Sequence, residues 1–383
     1  MSWESVLMID NKEKQRVWDA YRNRKPIRVP ATLAVNARVI LLDEQFNPSG
    51  ISFKRYYDDP AAAVDIQLKF MEYRGQYLAR FCDYPSGRPE ELVFYVDNQS
   101  FADSAYFGCP IHFRDGQIPD TTPILEGGHK NDLFDFALDR PRDNPFIQTC
   151  FRRHEGLCRA AANVRLEGVK ISVAPLMMGY DGPLTVATQL RGQEILTDLI
   201  EDPQYVVKLL HFIQKALEIR NRALGEKAGT PAFPPPVGGL GDDSIQMIGL
   251  EMFKELILPL HRQWLALWGA GPHGMHLCGD ATRHMPTLHD ELNVCSFETG
   301  FPVDHGALRK ALGPDVEIIG GPEVGMLTSG TAQQAYERTR DILLSGVKEG
   351  GRFLLREGNN LPPKVSEANL AAMYQACLDH GQY

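Results

Sequence analysis

Short apolar runs alternate with longer helical patterns along nearly the whole chain, and this alternation constrains the fold more than any other feature. The runs rich in β-branched residues predict eight strands, at 29–35, 92–97, 169–177, 236–240, 274–278, 294–297, 316–319 and 353–355. A period of about 3.6 residues predicts helices between them, at 61–81, 192–225, 250–269, 307–312, 331–345 and 366–378. Strands that alternate with helices are typical of βαβ units and a parallel sheet, so the fold class is α/β.

Two architectures use such units, a closed barrel and an open doubly wound sheet. The open sheet needs a phosphate-binding G-x-G-x-x-G after its first strand, and this motif follows none of the predicted strands. No linker rich in glycine and serine divides the chain. The sequence therefore predicts one domain over residues 1–383, a single (β/α)8 TIM barrel with an N-terminal helical extension.

Composition excludes several classes of function. The chain has 40 Lys and Arg against 49 Asp and Glu, a net charge of −9, which argues against nucleic acid or an anionic membrane as partner and leaves a small-molecule substrate. The N-terminus has no apolar signal segment and no apolar run reaches about 18 residues, so we expect a soluble, cytoplasmic protein. Seven cysteines spread over the chain predict reduced thiols, with one or two available for a metal.

Polar residues follow almost every predicted strand. In a barrel, the carboxyl ends of all strands meet at one mouth, where active sites lie. A single Asp or Asn at such a point is often a helix cap, but recurrence at each unit favours a site. Predicted substrate-binding residues at these ends are Asn36, Asp97, Tyr180, Asp181, Glu323, Asn359 and Asn360. Asp242 and Asp243, after the fourth run, are the catalytic candidates.

The sharpest local pattern is His276-Leu277-Cys278. Side chains two apart on a strand face the same side, so the imidazole and the thiolate can bind one metal, and this donor pair suits zinc. The pattern is short and also occurs in purely structural settings. Glu298, one strand further on, offers a third ligand. Cys295 precedes Glu298 by three residues and is predicted to face the opposite side of its strand.

Several longer segments resemble the uroporphyrinogen decarboxylase family, which includes corrinoid-linked methyltransferases. The similar segments are KEKQRVWDAYRNRKPIRVP, MGYDGPLTVATQLRGQEILTDLIEDPQYVVKLL, GLGDDSIQMIGLEMFKELILPLHR, HLCGD and GGPEVGMLTSGT. The resemblance covers nearly the whole chain and implies a single (β/α)8 barrel. It also implies a homodimer.

The resemblance leaves two activities open. Decarboxylase members grip substrate carboxylates with arginines after the first strand, where this chain has Ala34-Val35-Asn36-Ala37-Arg38, although Asp242 and Asp243 fall where a decarboxylase aspartate would lie. The methyltransferase branch binds zinc through H-x-C and a later cysteine. His276 and Cys278 match that pattern, but Asn359 stands where the last cysteine would be. The expected zinc ligands are His276, Cys278 and Glu298, with Glu357 as a further candidate.

We therefore expect a zinc-dependent methyltransferase that moves a methyl group between a small methylated or methoxylated substrate and a corrinoid protein. The alternative is a lyase, a decarboxylase of uroporphyrinogen or a related carboxylic acid. A non-catalytic member of the family is the third possibility; it predicts a filled site and no metal.

Overall fold

The structure is a computed structural model that describes residues 10–84, 92–235 and 237–383. The chain forms two compact units. Unit 1 comprises Met1–Gly50, Ile66–Glu91 and Gly274–Tyr383, and unit 2 comprises Ile51–Asp65 and Leu92–His273.

Helices make up most of the described secondary structure. The α-helices are α1 (Asn11–Arg22), α2 (Arg38–Leu41), α3 (Phe53–Asp58), α4 (Pro60–Glu72), α5 (Ala102–Tyr106), α6 (Pro145–Ala161), α7 (Pro183–Arg191), α8 (Glu194–Glu201), α9 (Pro203–Ala228), α10 (Leu250–Met252), α11 (Leu258–Leu265), α12 (Met285–Leu292), α13 (His305–Leu312), α14 (Val324–Ser329), α15 (Ala332–Leu344) and α16 (Glu367–His380). Two π-helical turns, Tyr73–Tyr77 and Phe253–Ile257, extend α4 and join α10 to α11.

The strands are short. They are β1 (Val93–Phe94), β2 (Ile111–His112), β3 (Asp120–Thr121), β4 (Arg165–Leu166), β5 (Val169–Lys170), β6 (Ser172–Val173), β7 (Gly238–Gly241), β8 (His273–Leu277), β9 (Val294–Thr299), β10 (Glu317–Gly320) and β11 (Phe353–Leu355).

In unit 1, consecutive strands lie side by side in the order β11-β10-β9-β8. Ile318 on β10 pairs in parallel with Phe297 on β9 and with Phe353 on β11, and all three side chains are fully buried. Because neighbouring strands run parallel, their carboxyl ends lie at one edge of this sheet. The last four predicted strands are confirmed.

The first predicted strand, 29–35, is wrong as a regular strand. Ala31 forms an isolated parallel bridge with Leu355, and Leu355 N–H donates to Pro30 O. Pro30 has no N–H group to continue a ladder, which explains why the pairing stays short.

The second and third predicted strands are also too long, because 92–97 shrinks to β1 and 169–177 breaks after Lys170. β5 pairs antiparallel with β4 across a tight turn, in which Glu167 and Gly168 have φ of 48° and 83°. These are the positive values that a two-residue hairpin turn requires. β6 instead pairs in parallel with β1. The fourth predicted strand is confirmed over β7, while Pro236 lies outside the described residues.

The helix predictions hold with one clear correction. The predicted helix 192–225 is two helices, since α8 ends before Asp202 and α9 begins at Pro203. The Asp202 side chain accepts a hydrogen bond from Tyr205 N–H and so caps α9. Proline at the first position of a helix is favourable because its missing N–H would have no partner there.

A buried ion pair anchors unit 1. Asp83, which is fully buried, accepts hydrogen bonds from both terminal nitrogens of Arg28 at 2.6 Å, from Ala31 N–H at 2.7 Å and from the Tyr374 hydroxyl at 2.7 Å. Three distant parts of the sequence therefore meet on one carboxylate. Buried charges of this kind are stable only when they are fully paired.

The described residues establish an α/β protein, while the closed eight-stranded barrel stays a prediction because the described strand pairs do not trace a closed ring. None of the described helices is long and apolar enough to span a membrane.

Candidate active site

His276 and Cys278 lie together at the carboxyl end of β8. Burial alternates along this strand, with His273, Met275 and Leu277 buried, so His276 points to the other face. Cys278 continues that alternation. The Nε2 atom of His276 lies 2.7 Å from Cys278 Sγ, as the spacing of two residues predicts.

Glu298 reaches the same histidine from β9. Its Oε1 atom contacts His276 Nδ1, the ring nitrogen that faces away from Cys278, and the same oxygen also contacts Nη2 of Arg356. The structure thus brings together the predicted residues His276, Cys278 and Glu298 and adds an arginine to them. Cys295 is directed elsewhere and donates to Asn293 Oδ1 at 3.2 Å.

The charges in this cluster reinforce one another. Burial opposes ionisation of both His276 and Glu298, but hydrogen bonding and charge outweigh it. For His276, contacts with Cys278 and Glu298 raise the pKa to about 10. For Glu298, contacts with His276 and Arg356 lower the pKa to about 2. Glu298 and His276 therefore stabilise each other's charged forms, a carboxylate and an imidazolium.

Glycine allows the loops after these strands to meet. A Cβ atom on Gly300 would lie 2.0 Å from Gly279 N and 2.9 Å from Cys278 Cα, distances that no side chain could tolerate. Directly after the next strand, β10, a Cβ on Gly321 would lie 2.3 Å from Arg356 O. Close approach of backbone to backbone is one of the few roles that only glycine fills.

Glu357 follows β11 and is fully buried. Its Oε1 accepts a hydrogen bond from Ala34 N–H at 2.8 Å, whereas Oε2 has no partner among the described residues. Burial raises the pKa of Glu357 well above its usual range, although Arg356 and the Ala34 N–H act in the opposite direction. Burial thus favours the protonated form of Glu357, which is not among the described residues that contact His276.

Asp242, a predicted catalytic residue, is buried in unit 2 with both oxygens engaged. Oδ1 accepts hydrogen bonds of 2.8 Å from the backbone N–H and the hydroxyl of Thr185, and Oδ2 lies 2.8 Å from His261 Nε2. Gly182 packs directly on it, since a Cβ there would lie 2.3 Å from the Asp242 side chain. This geometry suits a residue that positions the start of α7. Asp243 is half-buried and begins a 3₁₀ turn, Asp243–Met247.

Asp181 lies in a second acidic cluster of unit 2. Its backbone N–H donates to Asp103 at 2.7 Å, its carboxylate accepts from Gln189 Nε2 at 3.0 Å, and Asp103 is ion-paired with the buried Arg220. Burial, and then the negative charge of Asp103, raise the pKa of Asp181 to about 7. Tyr180 beside it packs against Trp264, with ring centroids 4.5 Å apart.

The remaining predicted binding residues make local contacts. Asn36 accepts from Arg38 N–H at 3.0 Å, Asp97 accepts from Gln99 N–H at 2.8 Å, and Asn359 accepts from Asn360 N–H at 2.8 Å. Glu323 precedes α14 and pairs with Arg338. These are the turn and cap roles that isolated polar residues often have. Their predicted role in substrate binding stays a prediction.

Sequence reasoning missed the partners of the acidic residues. Arg356 could be noted as a cation after the last strand, but its contact with Glu298 depends on which strands are neighbours. His261 and Thr185, which hold Asp242, lie on helices α11 and α7 and carry no local signal of that role.

Comparison with known proteins identifies the family. Residues 102–380 match the profile of the family described as uroporphyrinogen decarboxylase (URO-D). The chain belongs to this family. Membership in the URO-D family indicates an enzyme and agrees with the resemblance that the sequence motifs carry.

Two similar proteins come from Methanosarcina mazei. A stretch of 178 residues is 34% identical to a methylated-thiol–coenzyme M methyltransferase and covers 45% of this chain. The match spans 46% of that curated relative, about half its length. A solved structure described as a methyltransferase shares the fold, with a TM-score of 0.63, 13% identity, and coverage of 96% of this chain and 98% of the other.

Proposed function

We propose that this URO-D family member is a zinc-dependent methyltransferase, which moves a methyl group between a small methylated or methoxylated molecule and a corrinoid protein. The observation that carries the proposal is the contact of His276 with Cys278 at the carboxyl end of β8. The partial similarity to a coenzyme M methyltransferase supports it. We also propose that the strands belong to a (β/α)8 barrel, in which such an end is the usual place for a site.

The donor atoms fit zinc. A thiolate sulfur and an imidazole nitrogen are its commonest protein ligands, and here the two lie on one face of one strand. His276 would bind through Nε2 and Cys278 through Sγ. A bound zinc ion would supply Lewis acidity, which weakens a methyl ether bond or makes a thiol substrate more acidic.

The chain's own residues hold the ligands and the proton. Arg356 and Glu298 fix the His276 ring, and Gly300 allows the loop after β9 to close on Cys278. When a methyl group leaves an ether, the remaining oxygen needs a proton. Glu357, which lies in the same unit as His276, is the residue that we propose holds this proton, because burial raises the pKa of its carboxyl group.

Methyl transfer to a corrinoid protein tests the reaction. We expect a panel of methoxylated and methylated compounds, incubated with the zinc-loaded enzyme and a corrinoid protein in its Co(I) state, to include a donor that converts the corrinoid absorption to that of the methylated form. Cys278→Ser should abolish this conversion, because serine does not supply a thiolate. Cys158→Ser should not affect it, because Cys158 is an exposed residue of α6 whose sulfur lies beside the His154 ring.

A negative result is informative if the zinc content is shown to be normal. A broad panel that gives no methylated corrinoid with wild-type enzyme would count against the methyltransferase proposal. Decarboxylation would then become the leading candidate, since the family takes its name from that reaction.

Little or no decarboxylation of uroporphyrinogen is expected. That substrate carries many carboxylates, which must be paired with cations when they are buried, at a cost of several kcal/mol per unpaired ion. Three arginines that could serve already contact carboxylates of the chain, since Arg191 pairs with Asp198, Arg352 with Glu317 and Arg356 with Glu298. Anaerobic incubation, oxidation and chromatography should show no more coproporphyrin than a control without enzyme.

Formation of coproporphyrin at an enzymatic rate would overturn the proposed function. Asp242→Asn and Asp243→Asn would then identify the catalytic carboxylate, as a decarboxylase aspartate is expected in this segment.

A further inference from the structure

The loop after β9 presents the aromatic side chain of Phe301. Phe301 is 37% exposed, and Pro302, the next residue, is exposed as well. The described residues of unit 1 include two other large apolar side chains that are exposed, Leu344 and Tyr383. Leu344 ends α15, and Tyr383 lies beside Phe353 at the start of β11. Of these three side chains, Phe301 is therefore the one that follows the carboxyl end of a strand.

Phe301 begins close to the candidate zinc ligand Cys278. Gly300 separates Phe301 from β9, and a Cβ atom on Gly300 would lie 2.9 Å from Cys278 Cα. Since neighbouring Cα atoms are about 3.8 Å apart, the Cα atom of Phe301 lies within about 8 Å of the Cα atom of Cys278. A substrate that contains an aromatic ring is long enough to span this distance.

The loop after β11 supports the phenyl ring. A Cβ atom on Gly358 would lie 3.3 Å from Phe301 Cδ1, so the absence of a side chain lets the backbone of this loop pack against the ring. Gly358 N–H donates to Pro322 O at 2.9 Å, which ties the loop to the residues after β10. Leu361 N–H donates to Ala34 O at 2.9 Å and ties the other end of the loop. The ring therefore packs on a backbone that hydrogen bonds hold in place.

The exposed part of the Phe301 ring has no aromatic partner among the described residues. Tyr73 and Tyr77, two half-buried rings of unit 1, stack on each other with centroids 4.9 Å apart. Aromatic pairs gain stability from offset stacking or edge-to-face contact beyond the gain from buried area. Phe301 is positioned to make such a contact with a ring that does not belong to the chain.

From the place of this ring we infer that Phe301 determines substrate specificity: it binds the ring of an aromatic methyl donor whose O-methyl or S-methyl group lies toward Cys278. The inference rests on the proposed function, because it concerns the methyl donor at the proposed zinc site. Ligand sites combine apolar and aromatic side chains with a few polar groups. Here His276 and Cys278 are the polar groups, and Phe301 supplies the aromatic surface. A donor with a small aliphatic body would cover little of the phenyl ring.

Binding of two matched methyl ethers to the zinc-loaded chain, without a corrinoid protein, tests the inference. The aromatic probe is para-methoxyphenol and the aliphatic probe is methoxyethanol, since each carries one methoxy group and one hydroxyl group. We expect wild type to bind the aromatic probe more tightly. Phe301→Ala should weaken that binding by roughly 3–10-fold, the equivalent of one aromatic contact. Its affinity for methoxyethanol should not change. Isothermal titration calorimetry measures both affinities.

Phe301→Tyr and Leu344→Ala are the matched controls. Tyrosine keeps the aromatic ring, so Phe301→Tyr should bind the aromatic probe as wild type does. Leu344→Ala removes an apolar side chain of the same unit that is 61% exposed, and it should change neither affinity. Circular dichroism confirms that the variants are folded.

Equal affinity of Phe301→Ala and wild type for para-methoxyphenol would overturn the inference. An equal loss for both probes, or a wild type that does not prefer the aromatic probe, would do the same. A Phe301→Ala variant with intact aromatic binding and weaker apparent affinity for the corrinoid protein would assign the ring to that partner instead. Because binding is measured without corrinoid, a chain that binds para-methoxyphenol through Phe301 but methylates no corrinoid would contradict the proposed function while supporting the role of Phe301.

Discussion

Replacing Cys278 by serine is expected to remove most of the zinc from the protein, whereas wild type should hold about one zinc ion per chain. The thiolate is the donor that selects zinc, and a serine hydroxyl stays protonated at neutral pH. We expect the affinity to fall by more than the roughly 10–100-fold that an outer-sphere change costs. Metal analysis of protein purified without added zinc measures the effect.

Cys295→Ser is the matched control for this result. Cys295 is half-buried on the neighbouring strand, but its sulfur donates to Asn293 and makes no contact with His276. The zinc content of this variant should equal that of wild type. If both serine variants lost zinc equally, the ligand assignment would be wrong and the loss would reflect general damage to the sheet.

The second large effect concerns stability. Asp83→Asn should lower the free energy of unfolding by about 3–5 kcal/mol, because Arg28 would remain buried without its counter-charge. Both side chains are buried, at 5% exposure for Arg28 and 0% for Asp83, so water cannot replace the lost partner. Urea unfolding, followed by circular dichroism and tryptophan fluorescence, gives the difference.

Two further variants compare the loss of the Asp83 charge with the loss of one hydrogen bond and with the loss of an exposed ion pair. Tyr374→Phe removes one hydrogen bond to Asp83 and should cost about 1 kcal/mol. Glu13→Gln breaks an exposed pair with Arg16 on α1 and should change stability little. An Asp83→Asn variant as stable as Glu13→Gln would show that the buried pair does not stabilise unit 1.

The buried pair of Arg28 and Asp83 and the cluster formed by His276, Cys278, Glu298 and Arg356 are connected through one segment. Arg28 precedes Ala31, which bridges to Leu355 at the end of β11, and Arg356 follows directly. The segment that Asp83 anchors therefore runs beside the strand that presents Arg356. For this reason zinc affinity in Asp83→Asn should be measured only under conditions where the variant is fully folded.

Local features of the fold and the site follow from the sequence because they depend on backbone geometry. The alternation of side chains along a strand places His276 and Cys278 on one face whatever the rest of the chain does. The same rule separates Cys295 from Glu298, and the structure agrees with both. The apolar periods that predict β8 to β11, α15 and α16 are local in the same sense.

The predictions that failed depended on more distant pairing. The run at 29–35 has the composition of a strand, but Pro30 limits its ladder and its partner is 320 residues or more away. The run at 169–177 breaks because the positive φ of Gly168 lets Val169 pair with Leu166 in a hairpin. Only Ser172 and Val173 then pair with β1. Local propensity does not decide between two such partners.

The sequence by itself determined that His276 and Cys278 share one face of a strand, that Glu298 approaches them from the next strand, and which family the chain resembles. Only the tertiary structure decided that Glu298 contacts Nδ1 of His276, that Arg356 reaches Glu298 from the far side of β10, and that Asp242 and Glu357 are buried. Thr185 and His261 hold both oxygens of Asp242, whereas Glu357 accepts through Oε1 from Ala34 N–H. The physical reason is that strand alternation is fixed within two residues, whereas the partner of a charged side chain depends on strand order and on which loops glycine allows to meet.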